Sequence, residues 1–334
     1  MSRPQPRPTE NGTGPVEELD AIIVGAGFSG LYMLYRARDV LGLKAKVFEA
    51  GNGVGGTWFW NRYPGARCDS ESYYYSFSFS EELEQEWEWS SKYPEQPEIL
   101  RYLNHVADRF DLRRDIQLET RVTEAVFDDT TNRWTVTTDS GERASAPFLI
   151  TAVGCLSAAN IPKIPGLDSF QGDWYHTGAW PHDGVDFSGK RVGLIGTGST
   201  GIQATPVIAA EADHLTVFQR TPNYSVPARN APLTPEMSSE IKDNYREIRR
   251  LTRESFGGFP FQPTDRSAMQ LTEEERQQIY DELWKEGGFK FLYGSFFDIV
   301  INQDANDTAA EFIRSKIRET VKDPVVAEKL CPRD

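Results

Sequence analysis

The chain has 334 residues, of which 39% are hydrophobic and 26% charged, and its formal net charge is −14. This length predicts two or three domains, and the composition is typical of a soluble globular protein. The acidic balance argues against nucleic acid or an anionic membrane as a partner, because both require a basic face.

Residues 1–20 are polar and rich in proline, and we expect them to form a disordered arm. The three cysteines, Cys68, Cys155 and Cys331, lie far apart and form neither a disulfide framework nor a metal-binding spacing. This cysteine usage favours a cytoplasmic protein without a metal site. We expect no signal peptide and no membrane span, because no long apolar run is present.

The first half opens with a dinucleotide-binding pattern. The apolar run 21–24 predicts a buried strand of a parallel sheet, and Gly25-x-Gly27-x-x-Gly30 follows it directly. The glycines permit a tight turn, a close approach of backbone to a pyrophosphate and close packing of helix on strand. Glu49, 24 residues after Gly25, follows a second strand and can accept hydrogen bonds from ribose hydroxyls. The alternative is an ordinary glycine turn.

Aromatic and charged residues follow this pattern. Gly55 and Gly56 are suited to a second close backbone approach to a flavin nucleotide. The run 61–69 carries three charged groups, among them Arg67 and Asp69, close to several aromatic rings, which suits a pocket wall, although a surface loop fits equally well. A β meander is predicted within 116–153, so we assign residues 21–155 to the first half of one nucleotide-binding domain.

The same pattern occurs a second time. A strand at 191–195 precedes Gly196-x-Gly198-x-x-Gly201, and Arg220 lies 24 residues after Gly196. A guanidinium can pair with a 2′-phosphate that a carboxylate would repel, and Thr221 adds a hydroxyl. The sequence therefore predicts FAD at the first site and NADP at the second. The alternative is a surface arginine in an NAD site.

A linker rich in aromatic residues joins the two patterns. It reads Phe170-x-Gly172-x-x-x-His176-x-x-x-Trp180-Pro181, and its period fits neither a helix nor a strand. We assign residues 156–224 to this linker and the NADP-binding domain. Residues 225–334 lack a glycine signature and predict a mostly helical insertion, with a capping box at Thr272.

This linker motif between two glycine motifs resembles the fingerprint of type I Baeyer–Villiger monooxygenases, closest to the phenylacetone and steroid monooxygenase branch. The resemblance covers nearly the whole chain after the N-terminal arm. It implies an α/β fold with two Rossmann-like domains, for FAD and NADP, and a helical insertion. It also implies that NADPH reduces FAD, that O2 adds at C4a of the flavin, and that the peroxyflavin converts a ketone to an ester or lactone.

The resemblance also implies roles for individual residues. Asp69 and Arg67 act near the flavin and the nicotinamide, whereas His176 and Trp180 control domain movement and NADP placement; a purely structural hydrogen bond is the alternative for His176. The residues implied to contact FAD are Gly25, Gly27, Phe28, Ser29, Gly30, Glu49, Gly56, Thr57, Trp58, Trp60, Asp69, Tyr75 and Val122. Those implied to contact NADP are Gly196, Thr197, Gly198, Ser199, Thr200, Gly201, Gln203, Arg220 and Thr221.

Family members continue well beyond the position of Asp334, and their continuation carries an arginine beside the flavin. The resemblance therefore implies that this chain is truncated at its C-terminus, an N-terminal fragment that is inactive alone. We expect a monomer or weak homo-oligomer. Three alternatives stay open: an N- or S-oxidising flavin monooxygenase, against which Trp180-Pro181 counts; a disulfide reductase, whose cysteine pair is missing; and a non-catalytic product that only binds nucleotides.

Overall fold

A computed structural model of the chain describes residues 15–255, 257–261 and 264–333. Ten strands occur among these residues, namely β1 (Val16–Glu18), β2 (Ala21–Val24), β3 (Ala45–Phe48), β4 (Ile116–Gln117), β5 (Val122–Asp128), β6 (Arg133–Thr138), β7 (Arg143–Ala146), β8 (Phe148–Thr151), β9 (Arg191–Ile195) and β10 (His214–Phe218). Residues 1–14 of the predicted disordered arm, 1–20, lie outside the described residues, and the prediction is wrong for residues 16–18, because these pair in parallel with residues 143–145.

Ten α-helices complete the described residues. They are α1 (Phe28–Tyr35), α2 (Thr57–Trp60), α3 (Glu81–Glu86), α4 (Gln96–Arg109), α5 (Ser199–Glu211), α6 (Pro235–Glu254), α7 (Glu273–Glu286), α8 (Lys290–Gly294), α9 (Gln303–Thr320) and α10 (Pro324–Leu330). Alternation of strands and helices with parallel pairing confirms the predicted α/β class.

The described residues form two compact units. The first comprises residues 15–63 with Gln96–Val185, and the second comprises Pro64–Glu95 with residues 186–333. Residues 64–95 fall within the predicted first domain, 21–155, yet they cluster with the second unit. The predicted boundary therefore does not coincide with the division into units, because residues 64–95 contact later parts of the chain, for example through Asp69 with Gln203 and Glu84 with Arg249.

The first unit contains two sheets of four strands. One is parallel throughout, in the order β4-β3-β2-β8, and the other, in the order β1-β7-β6-β5, contains the predicted meander of antiparallel strands. Ile22 and Phe48 from the first sheet and Val136 from the second belong to one buried apolar cluster. The register places Val24 opposite Phe48 and Thr151, so the carboxyl ends of three parallel strands lie side by side.

The second unit has a small sheet and a helical part. Strands β9 and β10 pair in parallel, and among the described residues they form a sheet of two strands. The helical part has its own core, in which the Tyr280, Phe291, Phe296 and Phe312 side chains are buried. Burial of aromatic rings at this density explains how a region without a large sheet stays folded.

Local capping signals set several helix boundaries in this unit. Thr272 and Glu275 form the predicted capping box of α7, and Gly287 ends that helix with φ +74°. Helix α9 begins at Gln303, because Asn302 caps it by accepting from the Ala305 N–H at 3.3 Å.

Candidate functional site

The first glycine turn joins β2 to α1 in a form that only glycine permits. Gly25 has φ +104°, and its N–H donates to the Phe48 oxygen at 2.8 Å, which ties the turn to β3. A Cβ on Gly30 would lie 1.8 Å from the Gly25 oxygen, so helix and turn pack without a side chain between them. Gly27 precedes α1 without a side-chain cap, which leaves N–H groups at the helix N-terminus available to an anion.

Glu49 lies at the end of β3, as the sequence predicts, and its carboxylate is directed at the turn. Its Oε2 accepts from the Ala26 N–H and its Oε1 from the Gly51 N–H, each at 2.7 Å. The residue is 5% exposed. These two charge-assisted bonds fix the carboxylate beside the turn, and each oxygen keeps a lone pair that a ribose hydroxyl could use.

A second glycine-rich loop closes against the first. The Gly55 N–H donates to the Ala26 oxygen at 2.9 Å, and Gly56 adopts φ +53°. A Cβ added to Gly27 would lie 3.3 Å from the Gly56 Cα, so backbone faces backbone here. The residues therefore fit an FAD pyrophosphate, since two backbone segments and a helix N-terminus converge where any side chain would obstruct the ligand.

The other residues predicted at the first site lie in two places. The first unit holds Phe28, Ser29, Thr57, Trp58, Trp60 and Val122. Asp69 and Tyr75 belong instead to the second unit. Val122 packs against the buried core cluster, which leaves its backbone rather than its side chain for a ligand.

The second glycine turn joins β9 to α5 with nearly the same geometry. Gly196 has φ +108° and donates its N–H to the Phe218 oxygen at 2.9 Å. A Cβ on Gly201 would lie 2.3 Å from the Gly196 oxygen, whereas a Cβ on Gly198 would meet nothing within 4 Å. Helix α5 also lacks a side-chain cap. Helix α5 therefore packs closely on the turn at Gly201, whereas the space at Gly198 is open. A pyrophosphate fits at Gly198.

The predicted equivalence of Glu49 and Arg220 is wrong by one residue. Because the turn glycine bonds to Phe48 in the first unit and to Phe218 in the second, the position equivalent to Glu49 is Gln219. Equal spacing in sequence misleads here because the connection from turn to strand end is one residue shorter in the second unit. The Gln219 side chain donates to the Lys329 oxygen at 2.7 Å, and Arg220 follows as an exposed residue.

Asn223 was missed by the sequence reasoning. Its side-chain amide donates to the Thr197 oxygen at 2.8 Å, and the Thr197 hydroxyl reaches the Thr221 oxygen at 3.4 Å. These contacts attach the loop after β10, which carries Arg220 and Thr221, to the second glycine turn. A single asparagine in a loop gives no signal from which sequence alone could infer this contact.

Residues 64–69 lie against helix α5 of the same unit. The Gln203 Nε2 donates to the Asp69 Oδ1 at 2.7 Å and to the Arg67 oxygen at 3.2 Å, and its Oε1 accepts from the Arg67 N–H at 3.3 Å. The Arg67 guanidinium pairs with Glu95, with 2.8 Å between Nη2 and Oε1. The structure thus brings Arg67 and Asp69 together with the helix that follows the second turn.

Cys68 lies between Arg67 and Asp69 in the sequence, and its thiol is buried and unreactive. Burial, with a smaller contribution from the Asp69 charge, raises the pKa of its thiol to about 12. A thiol with this pKa is protonated at neutral pH and is a poor nucleophile. This protonation state disfavours a redox role for Cys68.

The linker motif forms a short 3-10 turn in the first unit. The His176 Nδ1 accepts from the Gly178 N–H at 3.1 Å, so the neutral ring carries its proton on Nε2. Trp180 is buried and its ring centroid lies 5.6 Å from that of Tyr175, whereas Phe170 is 61% exposed. The Nδ1 atom of His176 therefore has a local structural role, and the Nε2–H group can donate to another partner.

The described residues contain neither a metal-binding cluster nor a membrane-spanning helix. In residues 15–255, 257–261 and 264–333, no three His, Cys, Asp or Glu side chains are grouped so that they could hold a metal ion. Within the same ranges, no helix has both the length and the apolar character needed to span a membrane.

Two glycine turns of this kind, each on parallel strands and each leading into an uncapped helix, define a protein with two dinucleotide-binding units. The chain belongs to the flavin-binding monooxygenase-like family, whose model matches residues 20–228.

Individual relatives agree with this assignment. The chain is 47% identical over 327 residues to a Baeyer–Villiger monooxygenase of Pseudooceanicola batsensis, covering 98% of this chain and 60% of that protein. It is 49% identical over 316 residues to phenazine N-monooxygenase PhzNO1 of Lysobacter antibioticus, covering 94% of this chain and 58% of that protein. The structure of oxidised steroid monooxygenase bound to NADP is similar, with TM-score 0.91 and 58% identity, over 95% of this chain and 60% of that one. The resemblance to Baeyer–Villiger monooxygenases is thereby confirmed, and the chain spans about 60% of the length of these relatives.

Proposed function

We propose that this chain carries the FAD- and NADPH-binding parts of a Baeyer–Villiger monooxygenase. The observation that carries the proposal is the pair of glycine turns with a Phe170-to-Pro181 motif between them. Identity of 47% to a Baeyer–Villiger monooxygenase supports the same activity. The substrates would be a small ketone and O2, and the product an ester or lactone.

FAD, when bound, would supply the oxygen-activating chemistry, and the protein would supply binding and orientation. Glu49 would accept hydrogen bonds from the adenosine ribose, because its carboxylate is held at the turn by the Ala26 and Gly51 N–H groups. The N-terminus of α1 and the backbone at Gly27 and Gly56 would face the pyrophosphate. The neighbouring aromatic rings of Trp58 and Trp60 would exclude water.

NADPH would bind at the second turn. The pyrophosphate would lie at Gly198, where space is open, and Arg220 would pair with the 2′-phosphate. Arg220 is exposed and lies on a loop that Asn223 attaches to the turn, so it can reach a ligand bound there. Thr221 would add a hydroxyl to the same phosphate site.

Asp69 and His176 are the side chains on which we expect activity to depend. Asp69 is held by Gln203 through one carboxylate oxygen, which leaves the other oxygen for a cationic or N–H partner. His176 presents Nε2–H, because Nδ1 is occupied by the Gly178 N–H.

We expect the protein to be cytoplasmic, and a monomer or weak homo-oligomer.

The second candidate function is oxidation at nitrogen or sulfur. Identity of 49% to phenazine N-monooxygenase PhzNO1 favours it, so overall similarity does not separate the two activities. The Trp180-Pro181 pair favours the ketone substrate, because it completes the motif by which the chain resembles Baeyer–Villiger monooxygenases. The two functions differ in product and can be distinguished directly.

The test is product analysis with FAD and NADPH. Because the relatives are longer, the assay uses both this chain and a fusion that supplies the part of steroid monooxygenase that this chain does not cover. With phenylacetone, a thioether and a phenazine offered separately, we expect ester from the ketone as the main product of the fusion. Asp69→Ala should slow ester formation while FAD remains bound. Predominant N-oxide or sulfoxide would favour the second function, and an unchanged ester rate would exclude a role for Asp69.

A further inference from the structure

Gln203 connects helix α5 to a part of the chain that lies 134 residues earlier, at Asp69. Both hydrogens of its side-chain amide are used, one by the Arg67 oxygen and one by the Asp69 Oδ1. The amide oxygen accepts from the Arg67 N–H. The opposite orientation of the amide would place oxygen against oxygen at two of these contacts, so the orientation is determined by the partners.

This bonding leaves Gln203 without an N–H for a cofactor oxygen. The family resemblance implies that Gln203 contacts NADP directly, but an amide nitrogen has only two hydrogens, and Arg67 and Asp69 accept both. The side chain is directed along the segment 64–69 rather than into the open space at Gly198. A role through other residues therefore fits the geometry better than a direct contact.

The segment 64–69 also touches the helix through backbone. Gly65 has φ +76°, and a Cβ there would lie 2.4 Å from the Gln203 oxygen. The Arg67 guanidinium turns away to Glu95. The segment therefore rests directly on α5, so a shift of the helix would carry the segment with it.

We propose that Gln203 is a positioning residue that couples dinucleotide binding at the second turn to the position of the Asp69 carboxylate. Helix α5 begins at that turn, so a ligand that orders residues 196–201 also orders Gln203, four residues after Ser199 in the same helix. Gln203 then holds one oxygen of Asp69 by a charge-assisted bond and leaves the other oxygen free. The identity of the dinucleotide, NADP, rests on the proposed function.

Hydrogen–deuterium exchange of the 334-residue chain, with and without NADP⁺, tests this coupling. NADP⁺ should slow exchange at residues 196–201 and, through Gln203, at residues 65–70. In Gln203→Met, which has similar volume but no amide, protection at 196–201 should remain and the added protection at 65–70 should disappear. Without ligand, residues 65–70 should exchange about tenfold faster or more in this variant, because it loses all three hydrogen bonds of the Gln203 amide.

Two further variants separate positioning from simple packing. Gln203→Glu keeps the shape and the acceptor for the Arg67 N–H but places a carboxylate oxygen against Asp69. It should therefore loosen residues 65–70 more than Gln203→Met does. Ile202→Ala alters a 46% exposed neighbour on the same helix and should leave both regions unchanged.

The outcomes are distinguishable from those that test the proposed function. No protection at 196–201 in the unchanged chain would contradict the NADP site and, with it, any coupling to that site. Protection at 196–201 without protection at 65–70 would overturn the coupling alone. Equal NADP⁺-dependent protection of 65–70 in the unchanged chain and in Gln203→Met would also overturn it, because the coupling would then not pass through Gln203.

Discussion

Arg249 on helix α6 makes a buried ion pair that we expect to hold residues 74–84 in place. Its Nε lies 2.7 Å from the Glu84 Oε1, and the two side chains are 9% and 7% exposed. Its two other nitrogens donate to the Tyr74 oxygen at 3.2 Å, the Ser76 hydroxyl at 2.8 Å and the Phe77 oxygen at 3.4 Å. The guanidinium thus satisfies one carboxylate and three further acceptors within the second unit.

The informative change is Arg249→Met, which keeps an unbranched apolar stem but removes the charge and the donors of the guanidinium. Glu84 is then buried without a countercharge, and breaking a buried pair in this way costs about 3–5 kcal/mol. This is a large share of the roughly 5–15 kcal/mol that stabilises a typical domain. The double variant Arg249→Met with Glu84→Met should regain most of the loss, because an apolar pair of similar volume removes the unpaired charge.

Local hydrogen–deuterium exchange is the suitable assay, because a chain with two compact units does not unfold as one two-state system. Exchange in residues 74–84 and 245–251 should accelerate by about a hundredfold to a few thousandfold in Arg249→Met. Arg250→Met is the matched control, since Arg250 is the next residue on the same helix and its side chain is 47% exposed. In the control, the exchange of both regions should stay close to that of the unchanged chain.

Two results would refute this reasoning. Exchange in Arg249→Met that matches the Arg250→Met control would show that the ion pair does not hold the segment. A double variant at least as labile as Arg249→Met alone would show that the loss comes from packing of the arginine stem rather than from the unpaired carboxylate.

Three further predictions concern ligand binding and thiol chemistry. Arg220→Ala should raise the Kd for NADP⁺ by roughly 10- to 150-fold, the equivalent of about 1.5–3 kcal/mol for a charge-assisted bond. Titration calorimetry should show little change in the Kd for NAD⁺, and equal losses of affinity for both dinucleotides would exclude a contact of Arg220 with the 2′-phosphate. Gly198→Ala should weaken NADP⁺ binding without altering hydrogen–deuterium exchange in α5. Gly201→Ala should destabilise the helix, because its Cβ would lie 2.3 Å from the Gly196 oxygen. Equal exchange of α5 in both variants would contradict these separate roles of the two glycines. Iodoacetamide at pH 8 should modify the exposed Cys155 and leave Cys68 unmodified, because burial raises the pKa of the Cys68 thiol to about 12. Rapid labelling of Cys68, measured by mass spectrometry, would contradict its burial.

The sequence determined the elements whose signals are local. A short apolar run followed by Gly25-x-Gly27-x-x-Gly30 defines strand, turn and helix, because positive φ and close packing exclude other residues at fixed offsets. The same holds for the second turn, and the capping box at Thr272 likewise depends on residues three apart. Glu49 could be placed at the first turn because it ends the strand that follows.

Tertiary structure alone decided where distant segments meet. No sequence spacing indicates that Gln203 binds Asp69 or that Arg249 binds Glu84, because these contacts depend on how helices pack and not on a local period. The predicted place of Arg220 was wrong by one residue for the same reason, since a count along the chain does not measure the length of a folded connection. Residues 64–95 were assigned to the first half by their order in the chain, yet their side chains and backbone make their contacts in the second unit. Backbone conformation at a turn or a helix end depends on neighbouring residues and can therefore be predicted from sequence. Contacts between residues more than a hundred positions apart form only when the chain folds, because burial of apolar surface also buries polar groups, which must then form hydrogen bonds or ion pairs.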